Sequence, residues 1–324
     1  MTAETLENTV LQILSQAEVS AGFAFQGGEP TLAGLDFYKE LLEIERKHNK
    51  NGVRIYNSIQ TNGLEIDDEW AGFLSENRFL TGVSLDGTRE IHNKYRRDKS
   101  GAPTWDRALS AADKLRAHGA EYSVLCVVTP ECAKNPELVY KTLKKHVYMQ
   151  FIPCLELSDE KKRSFSPGAL KYAEFLDRIF DMYYTDRKNG VNVSVRLFDN
   201  YAGMIAGRPP ESCGITGKCV CSGVVESDGD VYPCDFYCTD EYLLGNVNDA
   251  DLNGFLTSDR ARSFVYGSYT ACDECSVCAY GAFCGGGCRR ERDEYGKYRY
   301  CDTVKRFFGR NYKKLCELSY MFFR

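Results

Sequence analysis

The 324-residue sequence has neither a long apolar run nor an excess of basic residues. None of its apolar stretches approaches the roughly 20 residues that cross a bilayer as a helix. The net charge of −5 provides no general basic surface for nucleic acid. The opening residues, MTAETLENTVLQ, lack the basic and apolar regions of a secretory signal. We therefore expect a cytoplasmic protein whose partners include neither a membrane nor a nucleic acid.

Histidine and cysteine are both distributed unevenly. The chain has four histidines, and none follows His146. The first cysteine is Cys126, yet twelve of the fifteen cysteines come after residue 212. Disulfides are disfavoured in a reducing cytoplasm, so we expect most of these thiols to bind metal or to react. The sequence thus divides into two parts of different chemistry.

The first part alternates strand-like and helix-like stretches. Residues 4–17 have apolar residues at helical spacing, and five strand-like stretches follow: GFAFQ, VRIYNSIQTNG, LTGVSLDG, EYSVLCVVTP and YMQFIPCLE. Amphipathic helical stretches separate them. This alternation predicts an α/β fold with a parallel sheet, which is either an open doubly wound sheet or a barrel. The series starts on a helix, as it would if a first strand were missing.

A break in regular structure is predicted at AGRPPES, residues 206–212. We therefore predict one domain over residues 1–207 and a second over residues 208–324. The second domain is rich in turns and cysteines. It ends in an amphipathic helix with the sequence DTVKRFFGRNYKKLCELSYMFF.

Residues 272–288, CDECSVCAYGAFCGGGC, contain five cysteines. Structural zinc usually takes two C-x2-C pairs or cysteine mixed with histidine, and here the site would have to be all-thiolate. Iron–sulfur clusters take four thiolates each and accept spacings such as C-x2-C-x5-C. The spacing favours iron–sulfur clusters over zinc and leaves both open.

The longer cysteine pattern resembles the SPASM domain of radical S-adenosylmethionine (SAM) enzymes. Cys213, Gly229 and Cys234 form C-x15-G-x4-C, and C-x2-C-x5-C-x3-C begins at Cys275, with a final Cys301. The resemblance implies two auxiliary 4Fe–4S clusters. The implied ligands of the first are Cys213, Cys219, Cys234 and Cys288, and those of the second are Cys275, Cys278, Cys284 and Cys301. We interpret the other seven cysteines as ordinary thiols.

The stretches QGGEP, NSIQTNG, VSLDG, IHNKYRR and FIPCLE resemble the anaerobic sulfatase-maturating enzymes. The fold implied is a partial (β/α)6 radical SAM barrel that lacks its first strand, followed by a small SPASM domain and a C-terminal helix. The implied SAM-binding residues are Gly27, Gly28, Glu29, Ser84, Arg96 and Leu155. The glycines let the backbone approach a ligand closely, and a guanidinium can pair with the SAM carboxylate.

The same resemblance assigns the role of catalytic base to Asp235, which follows Cys234 in YPCDFYC. The implied activity is that of a radical SAM oxidoreductase, which converts a cysteine or serine of an unfolded sulfatase into Cα-formylglycine. A flavodoxin or ferredoxin is the implied reductant. The cofactors carry the difficult chemistry, and the protein places the reacting groups.

The sequence departs from the family at one point. A C-x3-C-x2-C triplet should precede GGEP and hold the SAM-cleaving cluster, but no cysteine precedes Cys126. We therefore expect that an amino-terminal segment is missing and that the chain in this form does not turn over SAM. The alternatives are a cluster-less paralogue, a SPASM maturase that cross-links or epimerises another peptide, and a non-catalytic iron–sulfur or zinc scaffold that binds peptides.

Overall fold

The structure is a computed structural model that describes residues 1–155, 165–269 and 272–322. Its first part is a six-stranded parallel sheet in which the strands lie side by side in chain order. The strands are β1 Ser20–Phe25, β2 Arg54–Thr61, β3 Leu80–Ser84, β4 Tyr122–Val128, β5 Tyr148–Pro153 and β6 Ser194–Val195.

The strand order decides between the two predicted sheet types. Every crossover advances by one strand in the same direction, whereas a doubly wound sheet reverses direction at a switch point. Within the described ranges β1 and β6 are the two edges and do not pair with each other. The predicted α/β fold with a partial barrel is confirmed. The sequence did not predict β6, a two-residue strand that pairs with the start of β5.

Helices connect the strands and cover the outer face of the sheet. They are α1 Ala3–Gln16, α2 Leu35–His48, α3 Asp68–Glu76, α4 Arg89–Tyr95, α5 Trp105–Ala117, α6 Pro130–Lys134, α7 Pro136–Leu143, α8 Ala169–Lys188 and α9 Arg196–Ile205. Several begin at a side-chain cap: the hydroxyl of Thr2 accepts from the amide of Thr5, and Asp67 caps α3 in the same way. Local sequence therefore sets these helix starts.

The second part contains short elements and one long helix. They are α10 Cys213–Thr216, β7 Val224–Val225, β8 Asp230–Tyr232, β9 Gly245–Asn246, α11 Leu252–Leu256, α12 Asp259–Tyr266 and α13 Cys301–Phe322. Strands β7, β8 and β9 form an antiparallel sheet. A small apolar cluster that includes Val231, Val247 and Leu252 lies beside it.

Helix α13 packs against the first part of the chain. Phe307 on α13 stacks on Phe198 of α9, which in turn contacts Phe180 of α8. Beside this aromatic cluster the buried carboxylate of Asp177 accepts a hydrogen bond of 3.1 Å from the amide of Asn311. The C-terminal helix is therefore part of the main core, although the cysteine-rich loops separate it from the sheet in sequence.

Helix α1 holds the small antiparallel sheet against the barrel. The side-chain amide of Gln12 donates to the carbonyl of Val247 at 2.9 Å, and its carbonyl accepts from the amide of Leu252 at 2.5 Å. Asn8 and Gln16 on the same helix bond to Asn248 and Asp251. Among the residues that the structure covers, no helix is both long and apolar enough to span a membrane.

Candidate functional site

A glycine turn follows the first strand of the sheet. Strand β1 ends at Phe25, and Gly27 has a φ of +100°, which favours glycine. A Cβ added at Gly27 or Gly28 would have no heavy atom within 4 Å. The backbone of this turn therefore borders open space at the carboxyl edge of a parallel sheet, where ligands of such folds bind.

The carboxylate of Glu29 is occupied by contacts within the chain. Its Oε1 accepts from the hydroxyls of Thr31 at 2.6 Å and Thr61 at 2.7 Å, and its Oε2 accepts from the amide of Asn62 at 2.7 Å. These bonds fasten the glycine turn to the end of β2. Glu29 thus fixes the shape of the turn through its side chain, which leaves its backbone for a ligand.

Arg96 is held by a buried carboxylate that the sequence analysis did not single out. Its guanidinium pairs with Asp86, whose side chain is 3% exposed, and Asp86 also accepts from the amide of Val127 at 2.8 Å. Asp86 lies two residues after the end of β3 within VSLDG, and a carboxylate just beyond a buried strand was the available signal. The guanidinium of Arg96 remains partly exposed and can bind a second anion.

Ser84 and Leu155 lie at the same edge of the sheet. Ser84 ends β3, and its hydroxyl accepts from the side-chain amide of Gln60 at 3.4 Å. Leu155 follows β5, is partly buried and is the last residue described before the gap. The structure therefore gathers the residues predicted to bind SAM at the carboxyl ends of β1, β3 and β5.

Asp235 connects the two parts of the chain at this edge. Its Oδ2 accepts a hydrogen bond of 3.2 Å from the side-chain amide of Gln26, which directly precedes the glycine turn. Its Oδ1 accepts from the thiol of Cys234, also at 3.2 Å. The contact between Gln26 and Asp235 was not predicted, because no local pattern indicates a contact between residues 209 positions apart.

The first predicted set of thiols lies next to Asp235. Burial and then the Cys219 thiolate raise the pKa of Cys213. Burial raises the pKa of Cys219, and the Cys288 thiolate raises it further. Burial likewise raises the pKa of Cys288, and the Cys213 thiolate raises it further. Burial also raises the pKa of Cys234 to about 12, with Asp235 and Cys213 as further causes. The four thiols are therefore close enough to interact electrostatically.

The second predicted set of thiols is a separate neighbourhood. Burial raises the pKa of Cys275 to about 11, and the thiolates of Cys272, Cys284 and Cys301 add to the shift. Burial raises the pKa of Cys284 as well, and Cys278 and Cys301 contribute. The four thiols of this set therefore interact electrostatically, and their role as ligands of one cluster stays a prediction. The structure also brings Cys272, interpreted from the sequence as an ordinary thiol, within 3.5 Å of Cys275.

The two thiol sets fit iron–sulfur clusters in number and type of donor. A 4Fe–4S cluster takes four thiolates, and each set contains four. Binding to iron would overcome the raised pKa values, since a thiol that coordinates a metal is deprotonated. Across the ranges that the structure covers, no three histidine, cysteine or carboxylate side chains converge as ligands of a single metal ion do.

Cavities adjoin the barrel at both ends of its strands. One of about 250 Å³ separates β5 from the cysteine loops and is lined by Ile152, Tyr298, Cys284 and Cys288. A larger one, of about 770 Å³, lies at the amino-terminal ends of β3 to β6. Catalytic sites of such barrels lie at the carboxyl ends of the strands, so the smaller cavity is the one next to the candidate chemistry.

Comparison with known proteins finds a matching family model for each part of the chain. A family model described as the Radical SAM superfamily matches residues 1–141, and one described as an iron-sulfur cluster-binding domain (SPASM) matches residues 218–279. The second match includes four of the eight cysteines in the two sets. These are Cys219, Cys234, Cys275 and Cys278.

Individual relatives are similar over nearly the whole chain. The cysteine-type anaerobic sulfatase-maturating enzyme of Clostridium perfringens is 42% identical over 98% of this chain and 89% of its own length. The serine-type enzyme of Bacteroides thetaiotaomicron is 31% identical over 100% of this chain and 80% of its own length.

Solved structures match the fold. The native enzyme anSMEcpe, with bound AdoMet (SAM) and a peptide called Cp18Cys, has a TM-score of 0.94 and 41% identity. The match covers 99% of this chain and 92% of that one. Streptococcus suis SuiB with bound SAM has a TM-score of 0.62 and 17% identity over 92% and 69% of the two chains, which is a likeness of fold alone. On the sequence identity and coverage of these relatives, the chain belongs to the family of anaerobic sulfatase-maturating enzymes.

Proposed function

We propose that this chain is a radical SAM oxidoreductase that converts a cysteine or serine of a sulfatase polypeptide into Cα-formylglycine. The observation that carries the proposal is the hydrogen bond between Asp235 and Gln26. It places a carboxylate next to both the glycine turn predicted to bind SAM and the first set of thiols. This reaction needs a base, a SAM-binding motif and a cluster-binding site close to one another, and the candidates for all three lie at one edge of the sheet.

We propose that the chain divides near residue 207 into a SAM-binding barrel and a cluster-binding domain. Backbone groups of Gly27 and Gly28 would bind the methionine moiety of SAM, and the partly exposed guanidinium of Arg96 would bind its carboxylate. Ser84 and Leu155 would complete this site. The eight thiols of the two sets would hold two auxiliary 4Fe–4S clusters.

In the reaction, Asp235 would accept the proton of the substrate thiol or hydroxyl. Gln26 would orient that carboxylate by its bond to Oδ2. When bound, SAM and the clusters supply hydrogen-atom abstraction from the substrate β-carbon and accept the electron that leaves. Loss of one hydrogen atom, one proton and one electron converts serine into the aldehyde. Cysteine gives the thioaldehyde, from which water releases hydrogen sulfide.

We extend the proposal to an electron-donor protein of the flavodoxin or ferredoxin type. Val277, between Cys275 and Cys278, is 86% exposed. The second set of thiols thus reaches the protein surface, where a small redox protein can approach it. Reduction of the reconstituted chain by such a donor, followed by electron paramagnetic resonance, tests this extension; no reduction would contradict it.

Turnover also needs the three cysteines of the SAM-cleaving cluster. Residues 1–324 contain no C-x3-C-x2-C triplet, and we propose on this ground that the chain in this form binds SAM without cleaving it. The test compares this chain with a variant that carries a designed strand and C-x3-C-x2-C loop ahead of Met1. Both are reconstituted anaerobically with iron and sulfide and given SAM, a reductant and a sulfatase peptide.

Mass spectrometry of the peptide is the readout. We expect formylglycine from the extended variant alone. Asp235→Asn in that variant should lower the rate by about 10²- to 10⁴-fold, the usual contribution of general base catalysis. Asp240→Asn, which changes an exposed aspartate five residues away, is the control and should leave the rate unchanged. Undiminished turnover by the Asp235→Asn variant would contradict the role of this carboxylate.

A further inference from the structure

Two arginines follow Cys288, and the fold uses them differently. Arg289 donates to the carbonyl of Phe264 at 3.1 Å, and its guanidinium lies over the rings of Phe264 and Tyr237. It is partly buried and joins α12 to the cysteine loops. Arg289 thus has a structural role that its contacts explain.

Arg290 has no comparable role. It is exposed, and it forms no ion pair with any residue in the described ranges. Its guanidinium carbon lies 4.9 Å from the centroid of the Phe236 ring, and its Nη1 is 3.5 Å from the Phe236 carbonyl. The ring therefore orients the guanidinium while most of its five donors still face solvent.

The position of this pair links it to the candidate site. Phe236 directly follows Asp235, and Arg290 comes two residues after Cys288. Both lie on short 3₁₀ turns, each of which begins next to a cysteine of the first set. An exposed aromatic ring, 42% accessible, and an unpaired cation thus stand beside the proposed base.

Resting on the proposed function, we propose that Phe236 and Arg290 form a shelf that binds the polypeptide chain of the sulfatase next to its target residue. The guanidinium fork would donate to main-chain carbonyls of the substrate, and the ring would contact an apolar side chain. Arginine and aromatic residues carry much of the binding energy in protein interfaces. The charge is available for this purpose because Arg290 forms no ion pair with any described residue.

The test measures peptide affinity with the full chain reconstituted with iron and sulfide under anaerobic conditions. A fluorescently labelled peptide that spans the target site of a sulfatase is titrated, and the dissociation constant is read from anisotropy. Arg290→Ala should weaken binding by about tenfold, as loss of an interface arginine commonly does. Phe236→Leu keeps apolar volume without the aromatic face, so we expect a smaller loss.

Arg290→Lys distinguishes a guanidinium fork from a simple charge, since lysine keeps only the charge. We expect it to bind less tightly than the wild type. The matched control is Arg262→Ala on α12, which removes an exposed arginine whose one ion pair within the described ranges is with the exposed Asp259. It should bind the peptide as the wild type does.

Iron content and the electron paramagnetic resonance spectrum of the reduced clusters show whether a variant has lost its clusters or only its affinity for the peptide. We expect both to be unchanged in every variant. If Arg290→Ala bound the peptide as tightly as the wild type, the proposed shelf would be wrong, but the proposed function would stand. The same conclusion would follow if its affinity fell only because iron was lost. A wild-type protein that binds a sulfatase peptide no better than a scrambled one would contradict the proposed function together with the shelf.

Discussion

The two parts of the chain are stabilised in different ways. The main core consists of residues of the sheet, its helices and α13. Within the described residues of 208–299, none is a buried member of that core, and only Val231, Val247 and Leu252 form a cluster of their own. The first part is held by packing, whereas the second has many turns, short strands and eight thiols in two sets.

This difference indicates what the clusters do for the fold. A small region without a sufficient core needs disulfides, metals or other cross-links to be stable. As proposed ligand sets, the first would join loops as far apart in sequence as Cys213 and Cys288, and the second would join Cys275 to Cys301. Cluster binding and folding of the second part should therefore be one process.

The largest effect should come from removing ligands of the second set. We expect Cys275→Ser combined with Cys278→Ser to lose about four irons and to leave the loops between residues 208 and 300 open to protease. The barrel should survive as a resistant fragment, because the fully buried residues of its core lie outside those loops. Limited proteolysis with mass spectrometry measures both.

Cys316→Ser is the control for that experiment. Cys316 lies on α13, outside both sets, and should be replaceable without loss of iron or protease resistance. Equal protease sensitivity of the barrel and the loops in the double variant would contradict the separation of the two parts.

A second, smaller effect is expected within the barrel from Asp86→Asn. This change weakens the bond to Arg96 and leaves the partly exposed guanidinium without its carboxylate partner. We expect SAM affinity to fall by roughly 10- to 100-fold, equivalent to about 1.4–2.8 kcal/mol. Isothermal titration with SAM measures it, and iron content should not change.

Asp106→Asn is the matched control, since Asp106 pairs with Arg89 at the surface. Surface ion pairs contribute little, and this variant should bind SAM as the wild type does. Equal SAM affinity in the Asp86 and Asp106 variants would remove Asp86 from the site.

The smallest effect concerns pH and the stability of the barrel. Burial raises the pKa of Glu45 to about 6, although Asn57 donates to its carboxylate. The folded state therefore favours the protonated form, and stability is lost as pH rises from 4.5 through 6. At pH 7 this loss is at most about 2 kcal/mol.

Glu45→Gln should accordingly stabilise the protein at pH 7, with a difference that shrinks as pH falls towards 4.5. Urea unfolding at several pH values measures this difference. Glu43→Gln changes an exposed residue of the same helix and should show no such trend. If the stabilisation by Glu45→Gln grew at acid pH, the raised pKa of Glu45 in the folded state would be contradicted.

Local pattern predicted the barrel elements well. The stretch LDFYKELLEIERKH, taken as a helix from its apolar spacing, is α2 Leu35–His48. The two-residue strand β6 and the short α12 were not predicted, because β6 is too short to show a period and α12 lies in a segment that otherwise has the composition of turns. Their stability comes from neighbours that are distant in sequence.

The site was predictable only in part for the same reason. The glycine turn and the cysteine spacing are visible in sequence, and the two interleaved thiol sets followed from the resemblance to the SPASM domain. The bonds from Gln26 to Asp235 and from Asp86 to Arg96 depend on how distant segments meet. The carboxylate of Glu29, predicted to lie at the SAM site, binds the chain itself.

The most direct test of the account is the metal and sulfide content of the anaerobically reconstituted chain, with electron paramagnetic resonance after reduction. The account predicts about eight irons and eight sulfides, which is what two four-thiolate sets hold as 4Fe–4S clusters. Zinc with little iron would contradict it. That result would leave a structural metal module and would remove the basis for placing Asp235 in a catalytic site.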